Sequence, residues 1–315
     1  MPGEYHRGAG LCRGRRHGRS RRGLAGSTVN PTHLIAWFDG HARDLPWREP
    51  GTTPWGVLVS EVMLQQTPVR RVAGVWTEWL TRWPTPSSLA AETPGTVIRA
   101  WGKLGYPRRA LRLHAAATAI AGQHNDVVPA DVDMLLALPG IGAYTARAVA
   151  AFGYGHRVPV VDTNVRRVVA RAVHGMADSG PPSTSRDLSD VEGMLPAMQP
   201  ARFCAALMEL GAVVCTARRP RCADCPVAGE CAWVRAGRPA GAATGQSAQR
   251  YAGTDRQVRG LLLDVLRTAA DPVSRARLDA VWLDAPQRDR CLGALLVDGL
   301  VERTGDGRFA LPGER

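Results

Sequence analysis

The sequence has no long hydrophobic run. No stretch approaches the roughly 18 consecutive apolar residues that a membrane-spanning helix needs. The start of the chain is rich in arginine and lacks the apolar segment of a secretory signal. These absences argue against a membrane-embedded or secreted protein, so we expect a cytoplasmic protein that is associated with the nucleoid if its partner is DNA.

Cysteine is scarce and unevenly distributed. Three of the seven cysteines are scattered, whereas the other four fall within residues 215–231. In a chain without a secretory signal, such a group favours a metal site over disulfide bonds. Four thiolates can hold either a zinc ion or an iron-sulfur cluster, and the spacing alone leaves both open. The candidate ligands are Cys215, Cys222, Cys225 and Cys231.

Positive charge is abundant but concentrated. The 315-residue chain has a formal net charge of +12, and residues 1–28 hold seven arginines against one acidic residue. We predict that this segment is a disordered basic tail, with a DNA-binding arm or a start codon placed too early as alternatives. Because about half of the net charge lies there, charge alone does not establish nucleic-acid binding. The hydrophobic content of 45% is sufficient for a sizeable, mainly helical core.

A tight turn near the middle of the chain joins two predicted helices. Pro139 ends the first helix, predicted over Asp131–Ala137, and the second is predicted over Ala143–Phe152. Gly140 and Gly142 allow close backbone approach and open N–H groups at the start of the second helix. Such a helix start attracts an anion, for example a phosphate. The alternative is an ordinary helical hairpin without a ligand.

Two acidic residues stand out for their surroundings. Glu61 lies in a predicted helix, Trp55–Thr67, that is otherwise largely apolar. Burial raises the pKa of a carboxyl group and suits it to general acid catalysis near neutral pH, although a helix-end salt bridge would also explain this residue. Asp162 precedes the predicted helix Thr163–Ala172, where it caps the helix and the helix dipole stabilises its charge. We therefore predict one protonated and one ionised carboxyl.

Several motifs resemble those of one enzyme family. LPGIGAYTA, followed by VVDTNVRRV, resembles the helix-hairpin-helix and catalytic-aspartate segment of the endonuclease III superfamily of DNA glycosylases. The segments SEVMLQQT and WGKLGYPRR and the spacing C-x6-C-x2-C-x5-C resemble the MutY adenine glycosylases more narrowly. The resemblance covers Pro31 to Cys231, and the chain is similar to a short C-terminal form of the actinobacterial kind.

This resemblance implies a mainly α, helix-hairpin-helix glycosylase domain over residues 29–234, with a 4Fe–4S cluster on the four cysteines and double-stranded DNA as partner. It implies that Glu61 protonates adenine, and that Asp162 stabilises positive charge on the sugar with help from Tyr144 and Asn164. Bifunctional relatives carry a nucleophilic lysine at position 144, so a phenol there implies base removal without strand cleavage. The alternative role of Tyr144 is a packed aromatic.

Further residues match family positions that bind DNA or the target base. Gln66 matches a glutamine that enters the duplex, with an exposed helix-end amide as the alternative. Tyr106 matches a tyrosine that wedges into the base stack, although Pro107 replaces the family's second tyrosine. Gly140 and Gly142 match the turn that binds a backbone phosphate. Trp47, Leu64 and Val69 match positions that line the base pocket, and we expect Arg48 to contact the edge of the base.

The C-terminal part departs from the family. MutY proteins commonly carry a larger, Nudix-like domain that reads 8-oxoguanine, and the residues after Cys231 lack its alternating strands. We instead predict a linker over residues 235–253 and a small α+β, winged-helix-like module over residues 254–315. Its predicted helices span residues 255–268, 274–281 and 286–300, and its predicted strands span residues 301–303 and 308–311.

The sequence supports three functional hypotheses. The first is a monomeric, monofunctional adenine DNA glycosylase of base excision repair, acting on adenine paired with 8-oxoguanine or guanine. The second is a mismatch glycosylase that removes thymine or uracil, since some relatives of that type share the hairpin tyrosine. The third is an iron-sulfur DNA-binding regulator that uses the C-terminal module. Glu61 and Asp162 argue against the third, because a binder has no need for either carboxyl in its groove.

Overall fold

The computed structural model describes residues 29–241 and 251–314. The predicted basic tail and much of the predicted linker lie outside these residues. The described chain is helical apart from one two-stranded sheet, and none of its helices is both long and apolar enough to span a membrane. The helices before the C-terminal module are α1 (Pro31–His41), α2 (Pro54–Leu64), α3 (Val69–Arg82), α4 (Pro86–Ala90), α5 (Pro94–Trp101), α6 (Arg108–Gln123), α7 (Val132–Leu136), α8 (Ala143–Tyr154), α9 (Thr163–Ala172), α10 (Thr184–Glu192), α11 (Pro200–Val213) and α12 (Ala232–Arg235).

Short polar side chains and prolines determine where the helices begin. The side chains of Asn30 and Thr53 accept hydrogen bonds from N–H groups at the starts of α1 and α2, and proline occupies the first turn of each. Asp162 caps α9 in the same way by accepting from the Val165 N–H at 2.7 Å. The cap explains why α9 has the predicted bounds, and it holds the carboxylate in one place.

Two hydrophobic cores share α8. Ala146, Val149 and Ala150 belong to the first core, which is built mainly from α2, α3, α5 and α6. Ala148 and Ala151 belong to the second core, which combines α1, α9, α11 and the segment that carries the four cysteines. Because α8 contributes to both cores, a side chain in its first turn can contact α2 and α9 together.

Two predicted helix ends lie three residues beyond the observed ones. The helix predicted over residues 286–300 ends at Val297, and the helix predicted to continue to Thr67 ends at Leu64. Gln66 has a positive φ of 56°, a left-handed backbone that does not continue an α-helix. The exposed Gln66 side chain therefore lies on a turn rather than on a helix face.

The C-terminal module has the predicted order of elements and packs directly on the helical domain. Ile98 of α5 belongs to the module's own hydrophobic core, and Arg99 forms an ion pair with Glu314. The backbone N–H of Gly95 also donates to the Pro312 carbonyl. The module consists of α13 (Asp255–Thr268), α14 (Arg275–Asp279), α15 (Ala285–Val297) and the antiparallel strands β1 (Glu302–Arg303) and β2 (Phe309–Ala310).

Candidate active site

Glu61 is a buried carboxyl in the middle of α2. Residues 55–63 of this helix are all buried, and Glu61 itself is only 7% exposed. Burial raises its pKa from 4.5 to about 7, although a hydrogen bond from Tyr144 lowers it. The charge of Asp162 raises this pKa further and that of Arg48 lowers it. The carboxyl therefore retains its proton close to neutral pH.

Tyr144 connects the two cores at this carboxyl. Its hydroxyl donates to Glu61, and its ring packs against the second core. Burial raises the phenol pKa well above its ordinary value, and the charges of Glu61 and Asp162 add to the rise. Tyr144 is therefore both a packed aromatic and a neutral hydrogen-bond donor, so the two roles considered for it are compatible.

Asp162 is held by hydrogen bonds at the start of α9. The Val165 N–H and the side-chain amide of Asn164 each donate to it at 2.7 Å. Burial raises the Asp162 pKa, whereas hydrogen bonds from Val165 and Asn164 and the charge of Arg167 oppose the rise. Glu61 has fewer such partners, so the hydrogen bonds favour the ionised form more strongly at Asp162 than at Glu61.

Asn164 is held in place by close packing between α9 and α11. Its side-chain oxygen accepts from Arg167 at 2.7 Å, and Arg167 also donates to the carbonyl oxygens of Gly211 and Cys215. A Cβ atom on Gly211 would lie 2.7 Å from the Asn164 Cβ and 2.8 Å from its carbonyl oxygen. Only glycine allows this approach, which leaves Asp162 little freedom to move.

Glu209 is a functional candidate that the sequence interpretation missed. It is completely buried on α11 and accepts from Arg43 Nε and Nη2 at 2.6 and 2.9 Å. Arg48 Nη2 lies 3.0 Å from the Glu209 Oε2 atom. Burial acts to raise the Glu209 pKa, but the two arginines together lower it below its ordinary value. An acidic residue inside an apolar helix was the available signal, as it was for Glu61.

The Arg48 guanidinium has one nitrogen without a hydrogen-bond partner among the described residues. Its Nη2 forms an ion pair with Glu209, and the guanidinium carbon lies 5.3 Å from the centre of the Phe38 ring. Its Nη1 is buried and has no hydrogen-bond partner among the described residues. An unpaired buried donor costs free energy unless a ligand satisfies it. The charge of Arg48 also acts on the candidate acid, because it lowers the pKa of Glu61.

The other predicted base-pocket residues border the first core. Trp47 and Leu64 pack against this core and remain partly exposed, and Val69 is partly exposed at the start of α3. Trp47 meets Trp76 edge to face, with ring centres 6.1 Å apart. Trp47 directly precedes Arg48 in the chain, and Leu64 lies about one turn after Glu61 on α2, so both provide apolar surface near these residues.

The predicted DNA-contacting residues lie on turns. Gln66 and Tyr106 are exposed, and both have positive φ, at 56° and 47°. Gly140 also has positive φ, and a Cβ there would lie 2.6 Å from the Arg112 Cβ, so this glycine serves the packing of the hairpin itself. Gly142 caps α8 and has open space around its Cβ position. The start of α8 is thus accessible to a phosphate.

The four thiols after α11 suit an iron-sulfur cluster. All four pack against the second core, and Cys225 interacts electrostatically with each of the others. Burial raises the Cys225 pKa to about 11, so binding a cluster would replace thiol protons. Within residues 29–241 and 251–314, no three ligand side chains are placed to hold a single metal ion. Four soft thiolate donors are the set that 4Fe–4S clusters take.

Arg171 ties the cysteine loop to α9, a link that the sequence interpretation also missed. Its Nη1 donates to Cys215 Sγ at 3.4 Å and to the Thr216 carbonyl at 2.8 Å, and its Nη2 donates to the Ala217 carbonyl at 3.1 Å. The guanidinium also lies 4.9 Å from the Trp233 ring centre. The loop that would hold the cluster is therefore fixed to the helix that Asp162 caps.

Comparison with known proteins identifies the family of this chain. Residues 59–191 match the HhH-GPD superfamily of base excision DNA repair proteins, and residues 215–231 match the iron-sulfur binding domain of endonuclease III. The structure resembles that of a thermostable thymine-DNA glycosylase, with a TM-score of 0.60 at 22% identity over 65% of this chain and 95% of that one. At that identity the likeness shows the fold alone.

Relatives among curated proteins are much closer in sequence. The adenine DNA glycosylase of Mycobacterium tuberculosis (strain ATCC 25618 / H37Rv) is 62% identical over 91% of this chain and 94% of its own length. That of Mycolicibacterium smegmatis is 63% identical over 91% of this chain and 97% of its own. The predicted family, fold class and iron-sulfur cofactor are confirmed. This chain belongs to the adenine DNA glycosylases, a family of helix-hairpin-helix base excision repair enzymes with an iron-sulfur cluster.

Proposed function

We propose that this enzyme, acting as a monomer at the nucleoid, hydrolyses the N-glycosidic bond of adenine paired with 8-oxoguanine or guanine in double-stranded DNA. One observation carries the proposal: Glu61, a carboxyl with a pKa of about 7, interacts electrostatically with Asp162, a second carboxyl that accepts hydrogen bonds from Val165 and Asn164. Protonating a leaving base while stabilising a cationic sugar requires two carboxyls in opposite protonation states.

The target adenine must leave the base stack to reach the active site, at a cost of a few kcal/mol. Gln66 and Tyr106 lie on exposed turns, from which they enter the duplex and occupy the vacated space. The accessible start of α8 at Gly142 holds a backbone phosphate. Trp47, Leu64 and Val69 then provide apolar contacts to the extruded base.

Excision begins with proton transfer from Glu61 to N7 of adenine, while the Tyr144 hydroxyl orients the carboxyl. The free Nη1 of Arg48 donates to an edge nitrogen of the base. As the bond between the base and C1′ breaks, its electron pair leaves with adenine. Asp162, positioned by Asn164, stabilises the positive charge on the sugar. Water adds to C1′ and loses a proton to the Glu61 carboxylate, which restores the protonated acid.

Cleavage of the DNA strand is not part of this reaction. A lyase step requires a side-chain amine that attacks C1′. The only lysine in the sequence, Lys103, is 83% exposed and lies 3.5 Å from Asp264. The corresponding position in the hairpin helix holds the phenol of Tyr144. The product is therefore an intact strand with an abasic site.

The iron-sulfur cluster has a structural role in this proposal. Cys215, Cys222, Cys225 and Cys231 would hold it, and it would cross-link the loop that Arg171 fastens to α9. When bound it would supply the iron atoms that the four thiolates coordinate, and none of the excision steps passes through it.

The proposal is tested by single-turnover excision on duplexes with adenine opposite 8-oxoguanine, adenine opposite guanine and thymine opposite guanine. We expect adenine release from the first two, with strand cleavage only after alkali reveals the abasic sites. Thymine release in its place would assign the chain to the mismatch glycosylases. Binding without release from any duplex would favour the regulator hypothesis.

Glu209→Gln should weaken excision through Arg48. Glutamine preserves the shape but removes the charge that holds two arginines, so we expect roughly a tenfold loss of kcat/KM and about 2 kcal/mol of stability. Excision at limiting DNA and chemical unfolding measure the two effects. Glu78→Gln, at an exposed position on α3, is the matched control. Excision by Glu209→Gln at the wild-type rate would contradict the role of the Arg48 clamp.

A further inference from the structure

The C-terminal module contacts the loop that carries Tyr106. We define the wedge loop as residues 101–109. Lys103 Nζ in this loop lies 3.5 Å from an Asp264 carboxylate oxygen of α13, and Arg108 lies 3.2 Å from Asp298, which follows α15. The loop is thus bound to the module on both sides of Tyr106.

Tyr106 itself is contacted by the module through Arg256. The guanidinium carbon of Arg256, in the first turn of α13, lies 4.7 Å from the centre of the Tyr106 ring. The same guanidinium lies 5.9 Å from the ring of Tyr251, which is also exposed. This separation is within the range of cation–π attraction. An exposed arginine of the module therefore lies between two exposed aromatic rings, one of which is the proposed wedge.

The wedge conformation needs such support. Tyr106 is 41% exposed and has a left-handed backbone, with φ of 47°, which is costly for a residue with a side chain. From the helical domain, the buried Arg109 lies 5.6 Å from the ring centre and donates to the carbonyl oxygens of Val62 and Met63, which follow Glu61. Arg256 is the contact to the ring that the module adds.

We propose that Arg256 is a positioning residue that holds the Tyr106 ring ready for insertion, and that this is the module's contribution to base removal. The proposal rests on the proposed wedge role of Tyr106. It assigns a role in base removal to a module that takes the place of the Nudix-like domain common in MutY proteins. Arg256 acts by restricting the ring before DNA binds, which lowers the entropic cost of insertion.

The alternative for an exposed arginine in a DNA enzyme is a direct phosphate contact. The two roles differ in salt dependence, because each lost phosphate contact reduces the slope of log affinity against log salt by about one. A positioning residue changes extrusion of the base and leaves that slope unaltered. The roles also differ in their dependence on Tyr106, since only the positioning role requires the ring.

The test compares Arg256→Ala and Arg256→Lys with wild type in the full chain. Single-turnover excision and the fluorescence of 2-aminopurine beside the target adenine report chemistry and unstacking. We expect Arg256→Ala to slow both by about fivefold, the loss of about 1 kcal/mol of cation–π attraction. Arg256→Lys, which keeps the cation, should restore part of the rate. Arg277→Ala, at an exposed position of the same module, is the control for lost charge.

The same measurements on Tyr106→Ala and on the double variant separate the possible failures. If Tyr106→Ala is slow and Arg256→Ala slows it no further, Arg256 acts through the ring, as proposed. Additive losses, or a salt slope reduced by about one in Arg256→Ala, would overturn positioning in favour of phosphate binding. A wild-type rate for Arg256→Ala beside a slow Tyr106→Ala would refute this inference alone. A wild-type rate for Tyr106→Ala would refute the wedge role itself.

Discussion

Glu61→Gln will abolish base excision while DNA binding persists. The amide has nearly the shape of the carboxyl but no acidic proton, so the leaving adenine departs without protonation. General acid catalysis contributes roughly 10²- to 10⁴-fold, and we expect a loss near the upper end because adenine is a poor leaving group when unprotonated. Single-turnover excision measures the rate, and fluorescence anisotropy with an uncleaved duplex measures binding. Retained turnover would remove Glu61 from the role of acid.

The pH profile gives a second readout of the same variant. The pKa of Glu61 is about 7, so the wild-type rate should fall about tenfold per pH unit once the pH exceeds that value. Any residual rate in Glu61→Gln should not show this fall. A wild-type rate that stays constant between pH 6 and roughly pH 9 would contradict general acid catalysis by this carboxyl.

The same substitution should stabilise the protein above neutral pH. Burial raises the folded-state pKa of Glu61 from 4.5 to about 7, so ionisation costs stability as the pH rises through that window. Above pH 7 the ionised carboxyl lowers the free energy of unfolding by about 3 kcal/mol. Below pH 4.5 the carboxyl is protonated in both the folded and the unfolded protein, so it has no effect on stability. Chemical unfolding at low and high pH should show the gain for Glu61→Gln only at high pH. The exposed Glu78→Gln should show none.

The parts of the site that could be predicted depend on local sequence signals. A carboxyl in an apolar helix singled out Glu61, whose burial the structure shows, and a carboxyl before a helix predicted the N-cap at Asp162 together with the bounds of α9. Both signals operate within one or two helical turns, where backbone capping and side-chain periodicity decide the structure. The hairpin turn is local in the same sense, and its two helices lie where they were expected.

The parts that could not be predicted depend on contacts between distant segments. Glu209 holds Arg43 from 166 positions away, and no local pattern relates a residue on α11 to the segment between α1 and α2. Arg256 meets Tyr106 because the C-terminal module packs on the helical domain, through contacts such as that of Ile98 with the module's core. In both cases tertiary packing, rather than propensity, decides the position. The end of α2 differs from these two, because Pro68 disfavours helix at the preceding Thr67 and was a local signal for a helix end in this segment.

Asp162→Asn should reduce excision by about 10²- to 10³-fold, because it removes the charge that stabilises the developing cation on the sugar. Asparagine is as good an N-cap as aspartate, so α9 and the overall stability should change little. Asp133→Asn, at an exposed position in the first turn of α7, is the matched control. Single-turnover excision and thermal unfolding measure the two expectations.

Binding of abasic-site analogues separates the charge of Asp162 from its hydrogen bonds. A cationic pyrrolidine in place of the sugar mimics the transition state, whereas a neutral tetrahydrofuran mimics only its shape. Asp162→Asn should lose affinity for the cationic analogue and keep its affinity for the neutral one. Glu61→Gln should retain both, since its proton acts on the base and neither analogue carries one. Equal losses for the two analogues in Asp162→Asn would mean that Asp162 orders the pocket rather than stabilising charge, and catalysis would then require another source for that stabilisation.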